Sequence, residues 1–520
     1  MLKHLTNLDE IEDAERRIRE LIEAQPEWLC AQGEGGLRVA LRRDEMDVRV
    51  AQGRLIFSCW TDAGVRAWRV TGWDWTGAKL MLEATRRAGA ERALLEIIPR
   101  ASAKTTKAMI GAARRERAQR LAHLACSLIK GTSVDRVALS AGARRGEPGR
   151  YARILLRLDQ ERIALSGIVT SDEASEADAF LSSALIWFTR AGEGARSASI
   201  KKLWLIADPK HIAALAERVA LLRRGLRRVI SLFEIDDEWQ ELKLVRCPGQ
   251  AELWAGGRVL FRRPPQVEPS ETAAHIVALV PDAIDVVRAR HGETLRFHGL
   301  PFARVRRLMG SERVWFGVRG GPKRRLLDRS TAQDFDDLLK QLSEHRRADP
   351  PDHRHALYRP APEAWLESML RRDITRLDPG LRLAPLYAQF RASQGASGSS
   401  GGDASRPVDL LALRRDGRLV VIELKVSEDR EHVLQGADYW RRVEAHRRSG
   451  HLTRAHLFGD AVIADHPPLV YLVAPTLRFH RAFRLLAQAI DPLIELYRFD
   501  LNEDWRAGVR VMRREALTNK

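Results

Sequence analysis

One order of elements occurs twice along the chain, and it restricts the fold more than any other feature. From about residue 102 to 130 an Arg/Ala-rich stretch has helical composition. It leads into VDRVALSAGARR and YARILLRLDQERIALSGIV, a helix around 176–190, the strand KKLWLIAD, the helix HIAALAERVALLRRGLRR and the strand VISLFEID. Near the C-terminus the helix AWLESMLRRD leads into LRLAPLYAQFRAS and VDLLALRRDGRLVVIELKV. The helix EHVLQGADYWRRVEAH, the strand PLVYLVAP, the helix FHRAFRLLAQAI and the strand LIELYRFD follow. Helical periodicity alternating with short apolar runs is the signature of α/β architecture. The two passes also end alike, in SLFEIDDEW and LYRFDLNEDW. Duplication is the economical explanation; α/β patterning reached twice without common origin is the alternative.

The remaining sequence fits a multidomain protein, since 520 residues at roughly 100–200 per domain imply about three to five domains. Residues 1–100 read as a helix over 1–30, with Leu8, Ile11, Ile18 and Leu21 at helical spacing, followed by a β-rich module. Its strands are LRVALRR (37–43), RLIFSCW (54–60), VRAWRVTGW (65–73) and ERALLEII (91–98). Trp60, Trp68, Trp73 and Trp75, interleaved with Arg66 and Arg69, either stack on unpaired bases or fill the core of a small sheet. Residues 101–245 carry the first α/β copy. Residues 246–345 read as a small α+β domain, with ELWAGGRVLFRR as a hairpin, a helix through about 290, further strands in LRFHGLPFARV and RVWFGVRGG, and a basic tip in GVRGGPKRR. Residues 346–362 have linker composition. The last domain spans 360–520, interrupted by the low-complexity segment SQGASGSSGGDAS (393–405).

Lys and Arg outnumber Asp and Glu by 87 to 69, a net charge of +18 with a pI near 10.2. Such a balance predicts attraction to polyanions, nucleic acid first among them, although a GC-rich genome inflates Arg and Ala together. No apolar run approaches the ~18 residues that span a bilayer, and the start alternates charge, so the expectation is a cytoplasmic protein without a membrane partner. Cys30, Cys59, Cys126 and Cys247 lie far apart with no CxxC, which excludes a zinc knuckle or a disulfide framework and predicts buried thiols. His353, His355, His446, His451, His456 and His466 lack metal-site spacing and read as surface residues. Walker A, GxGxxG, GxSxG and HExxH motifs are absent.

The segment RPVDLLALRRDGRLVVIELKV (406–426) carries the chemistry. Asp409 opens one strand, Asp416-Gly417 makes the turn, and LVVIELKV returns as an apolar strand into which Glu423 and Lys425 are set. Alternation puts Glu423 and Lys425 on one face, and the hairpin brings Asp409 to the same end. Two carboxylates and an ammonium are costly to bury unpaired, a conflict that a divalent cation removes. Mg²⁺ takes oxygen ligands, so two carboxylates and a strand carbonyl, that of Leu424, suffice. Lys425 is also the only lysine between Lys340 and Lys520. In a chain this rich in arginine, that choice points to a compact, titratable ammonium rather than a surface cation.

Asp409 followed by Glu423-Leu424-Lys425 resembles the PD-(D/E)xK nuclease superfamily, and within it the RecB-like nucleases related to archaeal and actinobacterial mismatch or branch endonucleases. The resemblance covers roughly 362–445. It extends to a helix glutamate in an LExxL pattern, Leu366-Glu367-Ser368-Met369-Leu370, and to Gln435 and Tyr439 one helical turn apart after the lysine. It implies a restriction-endonuclease-like αβββαβ core, Asp409, Glu423 and Leu424 at a Mg²⁺ or Mn²⁺ site, Lys425 as catalytic, and Glu367, Gln435 and Tyr439 in support. The implied activity is phosphodiester hydrolysis, with DNA favoured over RNA and endonuclease action over exonuclease. The alternative is a non-catalytic nucleic-acid-binding or scaffold protein that retains the fold. Laying RIALSGIV (162–169) over RLVVIELK (418–425) puts Gly167 and Val169 where Glu423 and Lys425 stand. The first copy is therefore expected to be degenerate and to serve binding or an internal pseudo-dimer.

Overall fold

The computed structural model describes all residues except 1–2, 33–38, 62–63, 78, 87–88, 90, 100–102, 143–147, 160, 171–176, 194–199, 250–251, 254–267, 290–291, 309–310, 319–323, 385–408 and 518–520. Contacts divide the chain into two units, Met1–Ala113 and Arg114–Lys520. The expected hairpin at ELWAGGRVLFRR, the tip of GVRGGPKRR and the Gly/Ser segment 393–405 lie largely or wholly outside the described residues.

In the first unit a helix, Leu8–Glu23, starts at a capping box: the Asn7 side chain accepts the Glu10 amide at 2.9 Å and Glu10 accepts the Asn7 amide at 3.3 Å. It buries Ala14, Ile18 and Ile22, spaced four apart, against an antiparallel sheet. The sheet order is Val39–Arg42, Glu27–Gln32, Glu91–Pro99, Leu80–Arg86, Gly64–Trp75, Arg54–Thr61 and Met46–Ala51. The helix expected over 1–30 therefore stops at Glu23. Pro26 breaks it, and Trp28 enters the core with its indole N–H donating to the Ile22 carbonyl at 3.1 Å. Trp68 and Trp73 are buried in the core and Trp75 packs against it, while Trp60 is 44% exposed.

The second unit shows the repeat as a repeat of topology. One six-stranded sheet runs Ser133–Ala141, Pro148–Leu158, Glu161–Ile168, Ile200–Ala207, Ile230–Ile235, Leu242–Val245; the other runs Leu381–Leu383, Leu410–Arg414, Leu419–Leu424, Leu469–Pro475, Leu496–Leu501, Val511–Ala516. In both, successive pairings are antiparallel, antiparallel, parallel, parallel, antiparallel. The closing edge strands Leu242–Val245 and Val511–Ala516 were not expected from sequence. Each sheet is covered on one face by the helix preceding it, the first by Ala118, Leu121, Ala122 and Ala125, the second by Trp365, Leu366 and Leu370.

The opposite faces share one core. Helices Ala177–Glu193 and Pro209–Val219 of the first half pack with His432–Arg448 and Phe483–Ala489 of the second in a continuous cluster that includes Phe180, Leu215, Leu434, Trp440 and Phe483. Leu222 bridges to Ile490 at this seam. That bridge coincides with the break of the expected helix HIAALAERVALLRRGLRR into Pro209–Val219 and Arg224–Val229.

Between the halves, the helix expected to run to about 290 ends at Leu279, and the chain enters Ile284–Ala289. This strand opens a five-stranded antiparallel sheet packed on helices Glu271–Leu279 and Ala332–His345. Residues 346–361 are not a free tether. Arg346 is fully buried and donates to the carbonyls of Phe297, His298, Leu357 and Pro360 at 2.9–3.0 Å, which fastens the segment to the middle sheet. Among the described residues no helix is long and apolar enough to cross a membrane.

Candidate active site

The strand Leu419–Leu424 is wholly buried. It pairs antiparallel with Leu410–Arg414, Leu410 facing Ile422, so one further step of the register sets Asp409 opposite Glu423. The Asp409 carboxylate is fixed from the strand itself, since Oδ2 accepts the Leu424 amide at 2.9 Å. Glu423 is 1% exposed and Lys425 7% exposed; the ammonium donates to Glu423 Oε1 at 2.8 Å and lies 3.6 Å from Asp429 Oδ2. Asp409, Glu423 and Lys425 thus come together at one strand end, as the alternation predicts.

The electrostatics of this group are strained. Burial, and then the charge of Glu423, push the Asp409 carboxyl well above the ordinary range, against the pull of the Leu424 amide and Lys425. Burial pushes Glu423 up as well, with Lys425 opposing. Burial alone would lower the Lys425 ammonium, but Glu423, Glu363 and Asp409 outweigh it and hold it above its usual value. Glu423 Oε2 is buried with no hydrogen-bond partner, and Gln435 Oε1 is in the same condition. A carboxylate oxygen without a donor, facing a second carboxylate, is what a hard cation satisfies, so the donor set fits one. Among the described residues no group of three or more His, Cys, Asp or Glu side chains is arranged to hold a metal ion. The fit is that of two acids supplemented by backbone oxygen and solvent.

The supporting residues divide. The Tyr439 hydroxyl is raised by burial and then by Glu423 and Asp409, which places it within their field. Gln435, one turn earlier on the same helix face, turns its amide nitrogen to Glu431 Oε2 at 3.3 Å. Glu367 is buried, and its charge acts on Asp409, but its oxygens are engaged elsewhere. Arg371 Nε donates to Oε1 at 2.7 Å, and Arg296 Nη1 lies 3.7 Å from Oε2. It supports the site rather than completing a ligand set.

Two contributors escaped the sequence reading. Glu363 stands one turn before Glu367 on helix Pro362–Arg372 and acts on both Glu423 and Lys425; the i, i+4 spacing was the available signal. His432 is buried, and its Nε2 meets the Glu423 carbonyl oxygen at 3.2 Å, an acceptor that requires the ring nitrogen to donate. Burial and the neighbouring Lys425 push His432 down to about 3, so it stays neutral. It stacks on Phe479 with ring centroids 5.9 Å apart. The surface reading of the histidines holds for His353, His456 and His466, which are exposed, but fails for His446. That side chain lies on the inner face of its helix, with Nδ1 3.1 Å from His451 Nδ1. The buried-thiol reading holds for Cys59, while Cys30, Cys126 and Cys247 are partly exposed, and all four are free.

The first half lacks this chemistry at the positions aligned in sequence. Ile168 and Leu424 both end their strands, and Ala152 pairs with Gly167 where Asp409 faces Glu423. A Cβ at Gly167 would come within 2.4 Å of Leu121 Cδ1, so Gly167 faces the covering helix, whereas Glu423 lies beside Gly436 of helix His432–Arg448 on the other side of its sheet; the two positions align in sequence but not in face. No family model, no curated protein and no solved structure matches this chain.

Proposed function

We propose that the chain is a metal-dependent nuclease that hydrolyses phosphodiester bonds of nucleic acid, DNA favoured over RNA, at a Mg²⁺ or Mn²⁺ site on Asp409 and Glu423. The observation that carries this reading is the buried Glu423 with one oxygen unsatisfied, opposite the half-buried Asp409 and beside Lys425. The order helix Pro362–Arg372, strands Leu381–Leu383, Leu410–Arg414 and Leu419–Leu424, helix His432–Arg448, strand Leu469–Pro475 supports a restriction-endonuclease-like αβββαβ core and the likeness to PD-(D/E)xK nucleases. A bound cation would supply Lewis-acid stabilisation of the charge that develops on the phosphoryl group.

The chain's own groups do the rest. The Leu424 amide fixes one oxygen of Asp409, and His432 holds the strand backbone at Glu423. Lys425, whose ammonium donates to Glu423, stands where it can orient the attacking water and offset charge on the phosphate. Purified protein incubated with single-stranded, duplex and branched DNA and with RNA, in Mg²⁺, Mn²⁺ or EDTA, tests the proposal. Cleavage that requires the cation and disappears in Asp409→Asn is expected. Cation-dependent cleavage that survives Asp409→Asn unchanged would sink it.

A further inference from the structure

Four arginines drawn from both halves of the second unit gather beside the candidate site. Arg153 lies on strand Pro148–Leu158, on the face turned to helix Ala177–Glu193. Its guanidinium reaches Ser183 Oγ at 3.4 Å on helix Ala177–Glu193, and Arg190 stands two turns further along that helix, on the same side. From the other half, Arg430 follows Asp429, the residue 3.6 Å from Lys425. Arg481 follows His480 and Phe479, the ring that stacks on His432 behind Glu423. The packed seam between helices Ala177–Glu193, His432–Arg448 and Phe483–Ala489 fixes these elements against one another.

Arg190, Arg430 and Arg481 are exposed, and among the described residues none of the four arginines is paired with a carboxylate. They feel one another. Burial and then Arg430 and Arg190 lower Arg153. Burial lowers His480 as well, and Arg481, Arg430 and Arg190 add to it against the single opposing acid Glu428. Guanidinium groups that outnumber the acid beside them, Glu428, repel each other, and a polyanion relieves that repulsion while releasing its own counterions. Arginine's planar fork also suits phosphate oxygens.

We propose that Arg153, Arg190, Arg430 and Arg481 form a phosphate track across the seam of the two halves, holding a nucleic-acid backbone against Asp409, Glu423 and Lys425. The track rests on the nuclease reading only for the fate of the bound strand. It assigns the first half a role as the binding partner of the half that carries the acids.

The test is anisotropy of a fluorescein-labelled single-stranded oligonucleotide with full-length protein in EDTA, where nothing is cut. The triple variant Arg190→Gln, Arg430→Gln, Arg481→Gln leaves the half-buried Arg153 in place, so folding is preserved. Arg415→Gln, at the hairpin tip at the far end of the acid-bearing strands, is the control. The triple variant is expected to lose about tenfold or more in affinity, with the slope of log affinity against log salt falling by about 2, while the control changes by less than about twofold. Equal affinity and slope in the triple variant and wild type, or no binding by wild type, overturn the track. Cation-dependent cleavage by wild type together with unchanged binding in the triple variant removes the track and leaves the nuclease reading standing. Arginine-dependent binding without any cleavage does the reverse.

Discussion

Asp409, Glu423 and Lys425 form one tight group of charges, so substitutions of Lys425 and Asp409 have opposite signs. Lys425→Ala leaves the Glu423 carboxylate without its counter-ion, and breaking such a buried pair costs about 3–5 kcal/mol. Asp409→Asn removes one of two facing acids whose carboxyls are both pushed up. The prediction is that urea unfolding in EDTA shows Lys425→Ala clearly weakened and Asp409→Asn as stable as wild type or more so, although both are inactive. An Asp409→Asn protein that unfolds more readily than wild type would mean the aspartate is present for stability. Cation binding gives a readout independent of turnover. At a free Mg²⁺ or Mn²⁺ concentration a hundred times the dissociation constant, a wild type that binds the cation would gain about 2.7 kcal/mol. The melting temperature should therefore rise with the cation in wild type and stay flat in Asp409→Asn. Lys425→Arg keeps the charge but not the shape, and single-turnover cleavage should fall nearly as far as in Lys425→Ala. Near wild-type rates in the Arg variant would reduce Lys425 to a tolerant ion-pair partner.

Helix Pro362–Arg372, which carries Glu363 and Glu367, is held from outside its own sheet. Gly299, at φ +78°, lies so close that a Cβ there would sit 2.0 Å from the Ala364 carbonyl oxygen. His298 stacks on Trp365 at 5.1 Å, and Arg346 lies over the same ring at 4.7 Å. Arg296 donates to Asp285 at 2.7 and 3.0 Å while approaching Glu367, and Ser368 Oγ donates to Asp285 Oδ1 at 3.1 Å. Gly299→Ala is therefore expected to destabilise by at least about 2 kcal/mol, because both the backbone conformation and the helix contact forbid a side chain. Denaturant unfolding measures it, and a loss of cleavage larger than the loss of folded protein would show that the helix position matters to the site. This element also shows what can be read in a sequence. Glu423 and Lys425 are legible because strand alternation is local, and Glu367 because its helix precedes the strands. Arg296 and Asp285 are illegible, since their link to Glu367 and Ser368 is purely tertiary. The helix over 1–30 overran because the apolar residues of Trp28–Cys30 do not announce a change of period, and only Pro26 does.

Across the second unit, the two halves are locked by a buried ionic group at their seam. Arg218 of the first half lies 3.2 Å from Asp438 and 3.3 Å from Asp178, and Arg441 of the second reaches Glu217 at 2.9 Å. Burial opposes the ionised form of Asp438, but Arg218, Arg441 and Arg442 outweigh it and hold the carboxyl below its usual range. Arg218→Met should cost about 3–5 kcal/mol. Because the core is continuous, hydrogen exchange should show strands Glu161–Ile168 and Leu419–Leu424 losing protection together. Loss confined to one half would mean that the halves fold separately. The sheets' common topology was foreshadowed by the repeated pattern of elements. Their shared core was not, because a helix face gives no sign of which partner covers it.

The placement of Asp409, Glu423 and Lys425 in the second half has a consequence for the products of the proposed reaction. Two equal halves would carry two such centres and could sever both strands of a duplex in one encounter, whereas the proposed centre stands in one half. A molecule acting alone on supercoiled plasmid should therefore leave the second strand whole, and open circles should accumulate well before any linear form. Linear plasmid as the earliest product would show that a second molecule joins the first on the DNA.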